Sequence, residues 1–584
     1  MSVDRGWIDR CVVDGYITDE FMQGVEEFLS LAYGNSSIVY EGTIKCPCAA
    51  CKHRKYLSRD EITVHLYKKG FVPNYKLWTV HGELCISEPS SSFSGTVRGD
   101  NPYKNMVLDV AGPKFVPDTE RIIEPEEPNP EAARFYSILR DADESLWTGC
   151  TKHSKLSAAS QFLNIKSECN MTEACYDRLI SLVKSMLPKE EKLAENFYQT
   201  KKMMKLLGFG YDIIHACPND CILYYGEEDK DRTRCSKCDH PRYEAKRAFG
   251  KNQKDIPYKV VHYFPLTPRL QRLYMSENTA KYMSWNKKEN HASGFMSHPS
   301  DSEAWRHFDR LHPLFAEESR NIRLGLSTDG FSLFGHSAVN YTCWPVFVTP
   351  YNLPPWMCMK EPYIFLTLVI PGPRSPGMDL NIYLRPLIDE LNSLWMNGTQ
   401  TYDSFNIENF NMRAALLWTI SDFQAYGMLS GWSTHGKMAC PYCMEHAKSF
   451  QLKHGRKASW FDTHRQFLSL DYPYKKQKDA FRKNVVDKDT PLERLSGEEV
   501  FARVKHLDQR KFGKAHGKQK TIGQGKTHNW KKISMFWELP YWQTSLIRYN
   551  LDVMHIEKNV FDNFLTQLWI LKIRLKTIQM LGWI

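Results

Sequence analysis

Apolar residues recur along this chain with two different periods, and the change of period divides it. From Glu131 onward, Ala132, Phe135, Ile138 and Leu139 share helical spacing, as do the apolar positions of 176–187 and 193–207. Each stretch predicts an amphipathic helix that buries one stripe. Residues 324–328, 344–349 and 363–370 are instead short aliphatic and aromatic runs broken by Gly and Pro, which predicts three consecutive strands. Helical spacing returns over 380–395, and 412–421 predicts a further strand. Strands, a helix and another strand in that order indicate a mixed α/β domain.

The ends of these elements carry chemistry. Asp329 closes the run Ile322-Arg-Leu-Gly-Leu-Ser-Thr, Asp422 closes Ala414-Ala-Leu-Leu-Trp-Thr-Ile-Ser, and Glu557 follows Leu551-Asp-Val-Met-His-Ile where loop turns to helix. Carboxylates far apart in sequence, each at an element end, can converge on two Mg²⁺ ions of the kind that serve phosphoryl transfer. Each also has a plain structural reading: Asp329 as a turn residue before Gly330, Asp422 as a cap, and Glu557 as a first-turn acid favoured by the helix dipole.

Charge sharpens the first reading. The 584 residues carry a net charge of +10. The segment 475–532 alone has 17 Lys and Arg against 7 Asp and Glu, again +10, and lies between the second and third acids. It reads as a solvated insertion or as a surface for phosphates, where each neutralised phosphate releases counterions and adds affinity without sequence preference. The candidate DNA contacts are Lys511, Lys514, Lys518, Lys520, Lys526, Lys531 and Lys532, with Lys437 beside the second acid. Trp432 and His435 either line the same path or build a rigid turn.

The first residues, Met1-Ser-Val-Asp-Arg-Gly-Trp, lack a charged-then-apolar leader, and no apolar run reaches the length of a membrane span. An intracellular, soluble protein is expected, and its 16 cysteines then point to zinc rather than disulfides. Cys217-x₃-Cys221 and Cys235-x₂-Cys238 have the spacing of a closed, tetrahedral zinc ribbon. Cys46, Cys48, Cys51 and His65 form a second candidate set, with His53 and His81 nearby. Cys440 and Cys443 supply only two donors, and need partners such as His435, His446, His528 or His555 unless they are packed thiols. A zinc hydrolase is disfavoured, because no His-Glu-x₂-His helix occurs.

Composition shifts set the boundaries. Residues 1–85 form a first module, and a Ser/Pro/Gly stretch followed by an acidic Pro-rich one makes 86–130 a linker. Residues 131–213 are helical, 214–250 are ribbon-like, and 251–584 form the main domain.

Several long strings resemble the plant CACTA (En/Spm-type) transposases of the tnp2 family. They are Ile214-His-Ala-Cys-Pro-Asn-Asp-Cys-Ile-Leu-Tyr, Leu324-Gly-Leu-Ser-Thr-Asp-Gly-Phe, Tyr351-Asn-Leu-Pro-Pro-Trp-Met-Cys-Met-Lys, Leu429-Ser-Gly-Trp-Ser-Thr-His-Gly-Lys, Cys440-Pro-Tyr-Cys and Leu551-Asp-Val-Met-His-Ile-Glu-Lys-Asn. The N-terminal Cys-Pro-Cys-x₂-Cys at Cys46, His-Leu-Tyr-Lys-Lys-Gly-Phe at His65 and Trp-x₂-His-Gly at Trp78 resemble the family's transposase-associated domain. Together these cover nearly the whole chain, to about residue 563.

The resemblance implies an RNase H-like catalytic core with a helical, basic insertion, preceded by small zinc-stabilised modules. It matches the family's catalytic acids to Asp329, Asp422 and Glu557, with Asp552 competing for the third place. It further implies Mg²⁺ or Mn²⁺ at the acids, structural Zn²⁺, cutting and joining of element ends, and a nuclear site of action. The implied partners are terminal-repeat and target DNA, a second element-encoded DNA-binding protein and a homo-oligomer. The family usually continues beyond the last residues seen here, so a truncated C-terminus is expected, and with it an alternative: an inactive, zinc-stabilised DNA-binding remnant.

Overall fold

A computed structural model describes residues 8, 12–13, 16–34, 39, 42–51, 55–72, 81, 126–245, 255–288, 296–332, 341–451, 458–460, 463–479, 485–507, 521–562 and 564–565. The chain forms two compact units, 1–99 and 100–584.

In the first unit, helix α1 (Asp19–Gly34) buries Phe21, Val25, Phe28, Leu29 and Ala32, positions that recur at helical spacing. A short ladder pairs β1 (Ile44–Lys45) with β2 (Tyr56–Leu57). Helix α2 (Arg59–Lys69) follows at once. Its start is fixed by Glu61, whose carboxylate accepts from the Ser58 N–H and hydroxyl, both at 2.9 Å, and its end by Gly70 at φ 64°. Ile62 and Leu66 of α2 pack with the α1 stripe and with Cys46, Cys48 and Cys51 into one small core.

The second unit opens with α3 (Pro130–Asp143), α4 (Lys155–Glu168), α5 (Glu173–Met186) and α6 (Phe197–Met204). The helix expected over 193–207 thus starts later than its apolar spacing suggests, because the Asn196 side chain caps it by accepting from the Gln199 N–H at 2.9 Å.

A mixed sheet then dominates. Its main strands are β3 (Asp212–His215), β4 (Val260–Tyr263), β5 (Ile322–Thr328), β6 (Thr342–Pro350), β7 (Phe365–Ile370), β8 (Ala414–Ser421) and β9 (Tyr549–Leu551), and a two-residue strand, Phe331–Ser332, pairs with β6. Across the sheet the main strands lie in the order β9-β8-β5-β6-β7-β4-β3. The neighbours β5, β8 and β9 run parallel, and every pairing from β5 through β6, β7 and β4 to β3 is antiparallel. Strands β5 and β8 are buried along nearly their whole length, as expected for parallel strands covered on both faces.

Helix α7 (Leu380–Met396) buries nine side chains, among them Leu384, Leu387, Ile388 and Leu391, and belongs to the same large core as β5, β6 and β8. The predicted strands and this helix are therefore all present. Strands β3, β4 and β9 are additions that four- and three-residue lengths hid from the pattern.

Candidate acidic site and metal centres

The parallel part of the sheet gathers carboxylates. The ladder pairs Ser327 with Ile420 and Ser421 with Leu551. Continued two residues past the first pair, this register sets Asp329 level with Asp422, and one residue past the second it sets Asp552 level with Asp422. The Asp552 N–H donates to the Ser421 carbonyl at 2.8 Å, which carries that register to the strand end. Three acids thus follow the same, C-terminal end of three adjacent parallel strands.

Each is held by local backbone. The Asp329 carboxylate accepts from the Gly330 N–H at 2.6 Å. Gly330 is needed there, since a Cβ would lie 2.6 Å from the Trp344 ring. Asp422 caps helix α8 (Phe423–Ser430), accepting from the Ala425 N–H at 2.6 Å. Asp552 starts a helix over 553–562 and accepts from the Met554 N–H at 3.0 Å.

Asp329 is exposed as a residue, yet neighbouring atoms take part of the water from its carboxylate. That burial raises its pKa above the ordinary Asp value, and the nearby charges of Asp422 and Asp552 raise it further, against the Gly330 N–H and His555, which lower it. A site that crowds negative charge in this way is suited to cations.

Glu557 sits on the exposed helix that follows. At 100° per residue it lies roughly 200° around that helix from His555, the residue whose charge reaches Asp329. Asp552 is a carboxylate whose charge adds to the rise of the Asp329 pKa.

Two clusters fit a structural metal. The donor atoms of Cys46, Cys48, Cys51 and His65 all lie within 4.8 Å of one another, and so do those of Cys217, Cys221, Cys235 and Cys238. His65 Nδ1 is 3.7, 3.7 and 3.4 Å from the three N-terminal sulfurs, and Cys217 Sγ is 3.5 Å from Cys238 Sγ. A tetrahedron of thiolates about 2.3 Å from Zn²⁺ needs sulfurs about 3.8 Å apart, so both sets fit the ion. Burial pushes the thiols of Cys46 and Cys217 up to about 12, and a bound cation would supply the charge that lets them ionise. His81 is not part of the N-terminal set: it is buried against Phe28, with Nε2 2.6 Å from the Lys45 carbonyl.

Among the described residues Cys440 and Cys443 have no such completed set. Trp432 is buried, its indole N–H donating to the carbonyls of Met438 and Ala439 at 3.1 and 3.2 Å, so it builds a rigid turn rather than lining a path. The basic residues divide. Lys437 and Lys526 are exposed and Lys531 is half-buried, whereas Lys511, Lys514, Lys518 and Lys520 lie outside the described residues. Lys532 departs from its expected role as a phosphate contact: it is fully buried, and its ammonium donates to the Met378 carbonyl at 2.8 Å and to Asn381 Oδ1 at 2.6 Å.

Residues 293–507 match the family model described as transposase family tnp2, and residues 5–83 match that of the transposase-associated domain. The chain belongs to the tnp2 transposase family. A search of curated proteins finds no match. The tnp2 match spans Asp329, Asp422 and the Cys440–Cys443 pair, and stops short of β9, Asp552 and Glu557. The transposase-associated match holds the whole N-terminal donor set. Membership in a transposase family implies DNA binding, and among the described residues no helix is long and apolar enough to cross a membrane.

What sequence reasoning missed is how the ribbon is fastened. Asp220, inside the Cys217–Cys221 loop at φ 57°, accepts from Lys259 and from the Tyr383 hydroxyl of α7, both at 2.5 Å. No spacing rule links positions 220, 259 and 383.

Proposed function

We propose that this tnp2-family chain cuts and joins DNA by two-metal phosphoryl transfer on an RNase H-like core. The observation that carries the reading is the convergence of Asp329, Asp422 and Asp552 at one end of three adjacent parallel strands. The strand order β7-β6-β5-β8-β9, with only β6 reversed between its parallel neighbours and β7, supports the RNase H-like assignment.

Asp329 and Asp422 would hold Mg²⁺ or Mn²⁺, with the third ligand from the segment 552–557. Ions bound there would activate the attacking oxygen and stabilise the departing 3′ oxygen. The chain itself contributes preorganisation. The Gly330, Ala425 and Met554 amides each fix one carboxylate, so the acids need little rearrangement to meet an ion. The first cut frees a 3′-hydroxyl, which then attacks target DNA at the same acids. Exposed Lys437 and Lys526, with the basic stretch outside the described residues, would hold phosphates. Work on chromosomal DNA would take place in the nucleus, with the chain as a homo-oligomer and a second element-encoded protein reading the terminal repeats.

The test is a labelled duplex ending in a CACTA repeat, incubated with the chain and Mg²⁺ or Mn²⁺. Metal-dependent nicking at the repeat end, lost in Asp329→Asn and Asp422→Asn, is the expected result. Parallel Glu557→Gln and Asp552→Asn chains identify the third acid by which of them loses nicking. Binding without cleavage by the unaltered chain under both metals would overturn the reading in favour of an inactive DNA-binding remnant.

A further inference from the structure

The segments 465–479 and 485–489 invert the usual placing of side chains. Arg465, Gln466, Lys475 and Asp487 are buried, Lys475 completely so, whereas Phe467, Leu470, Tyr472 and Tyr474 are 43–53% exposed. Lysine and arginine are rarely found inside, and a group of large apolar side chains left outside marks a surface that meets something. Here the buried cations act as struts. The Arg465 guanidinium donates to the Gln477 carbonyl at 3.4 Å and to the Val485 carbonyl at 3.1 Å. The Lys475 ammonium donates to the Asp489 carbonyl, and the Asp487 N–H donates to the Lys475 carbonyl at 2.9 Å. With these groups satisfied beneath, the rings stay outside.

Tyr472 and Tyr474 flank Pro473, which opens a single helical turn, Pro473–Lys476. The proline fixes its own φ, and the Lys475 N–H donates to the Tyr472 carbonyl at 3.0 Å. The two ring centroids are 5.7 Å apart with their planes inclined at 49°, so the rings brace one another while each stays about half open to water. Cations alternate with them. Over 472–479 three lysines stand against one aspartate, and Lys476 and Lys478 are exposed. Neighbouring acids are already engaged: Lys448 bridges Asp487 and Asp489 at 3.4 and 2.6 Å, and the Ser469 hydroxyl bonds the Asp471 carboxylate.

We infer that this knob is a stacking platform for an unpaired nucleic-acid strand, with bases on the Tyr472 and Tyr474 rings and phosphates on Lys476 and Lys478. An aromatic face takes any base and sets no sequence preference. A duplex offers it nothing, since there the bases cover one another and phosphates face outward. The platform lies outside the acidic site and does not depend on its chemistry. It adds to cutting and joining a hold on a strand that has lost its complement.

The full chain, without added Mg²⁺ or Mn²⁺, is titrated into a labelled thymidine homopolymer and into the same strand annealed to its complement, with fluorescence anisotropy as the readout. The single strand should bind more tightly. Tyr472→Ala/Tyr474→Ala should weaken that binding by at least about fivefold for each ring and leave duplex binding unchanged. Tyr472→Phe/Tyr474→Phe, which keeps both rings, should match the unaltered chain. Lys476→Gln/Lys478→Gln should lower the slope of log affinity against log salt by about 1.4, the value for two phosphates of a single strand. A second readout needs no variant: a strand carrying photoreactive iodouracil should cross-link to the peptide that holds Tyr472 and Tyr474. Equal affinity of the unaltered and alanine chains for the single strand, or cross-links that all fall elsewhere, would overturn the inference and leave the knob as a seat for another protein.

Discussion

In the first unit, Cys46, Cys48 and Cys51 share one small core with Phe21, Phe28, Leu29, Ile62 and Leu66. The fourth donor, His65, lies on the helix that supplies Ile62 and Leu66. Cys217, Cys221, Cys235 and Cys238 instead form a small cluster of their own with Ile222 and Tyr224, hung from the sheet by β3 and β4 and fastened by the Asp220–Lys259–Tyr383 contacts. The two donor sets have similar chemistry and different mechanical settings. A module of this size has a small apolar core, so a metal bound at the first set would tie together most of that core. At the ribbon, a fold that already exists holds a loop in place.

That contrast is broken most sharply by removing one donor from each set. Cys48→Ser should cost the first unit metal binding worth about 10 kcal/mol, far more than such a module can spare. Hydrogen exchange should then show protection lost across 16–72. Cys235→Ser should release exchange over 216–245 while β5 and β8 stay protected, because their core does not include the thiols. Equal loss of protection in the two variants would show that the ribbon, too, is a folding centre.

The fastening can be separated from the metal. Asp220→Asn keeps a residue that tolerates positive φ but removes the carboxylate facing Lys259, in a pair whose side chains are only 12% and 7% exposed. Breaking one side of a buried pair costs about 3 kcal/mol. The expected outcome is a lower denaturation midpoint with zinc content unchanged. Zinc lost together with stability would mean that Asp220 shapes the donor set rather than its attachment.

How much of this was legible in the sequence follows from the range of the forces involved. The Cys217–Cys238 spacing and the strands ending at Asp329 and Asp422 are local patterns, and the structure contains them where the pattern put them. The placement of Asp552 level with the other two acids depends on a register between β8 and β9, 130 positions apart at the pair Ser421 and Leu551, and no local periodicity encodes that. Lys532 looked like one more surface cation in a basic run. It is buried because Gly431 lets the two backbones touch: a Cβ there would sit 2.3 Å from the Lys532 carbonyl, and the Lys531 N–H donates to Gly431 at 2.8 Å. That is a tertiary fact that charge counting cannot see.

The acids of the sheet sharpen the contrast from the opposite side, since they are donors that the fold gathers at a cost. Asp329 has a raised pKa from burial and from the charges of Asp422 and Asp552. As pH climbs through the ordinary carboxylate range the unfolded chain gives up this proton first, so the folded state is penalised, fully so above the raised value. Near pH 3 the group is protonated in both states and the penalty vanishes. Asp329→Asn should therefore raise the melting temperature slightly at pH 7 in EDTA and leave it unchanged near pH 3. Screening at this exposed rim keeps the gain below about 1 kcal/mol. Added Mg²⁺ should reverse the order, stabilising the unaltered chain by mass action and leaving the variant where it was. A variant that is less stable than the unaltered chain at pH 7 in EDTA would mean that Asp329 is an ordinary turn residue, stabilised by its bond to Gly330 and not strained by its neighbours.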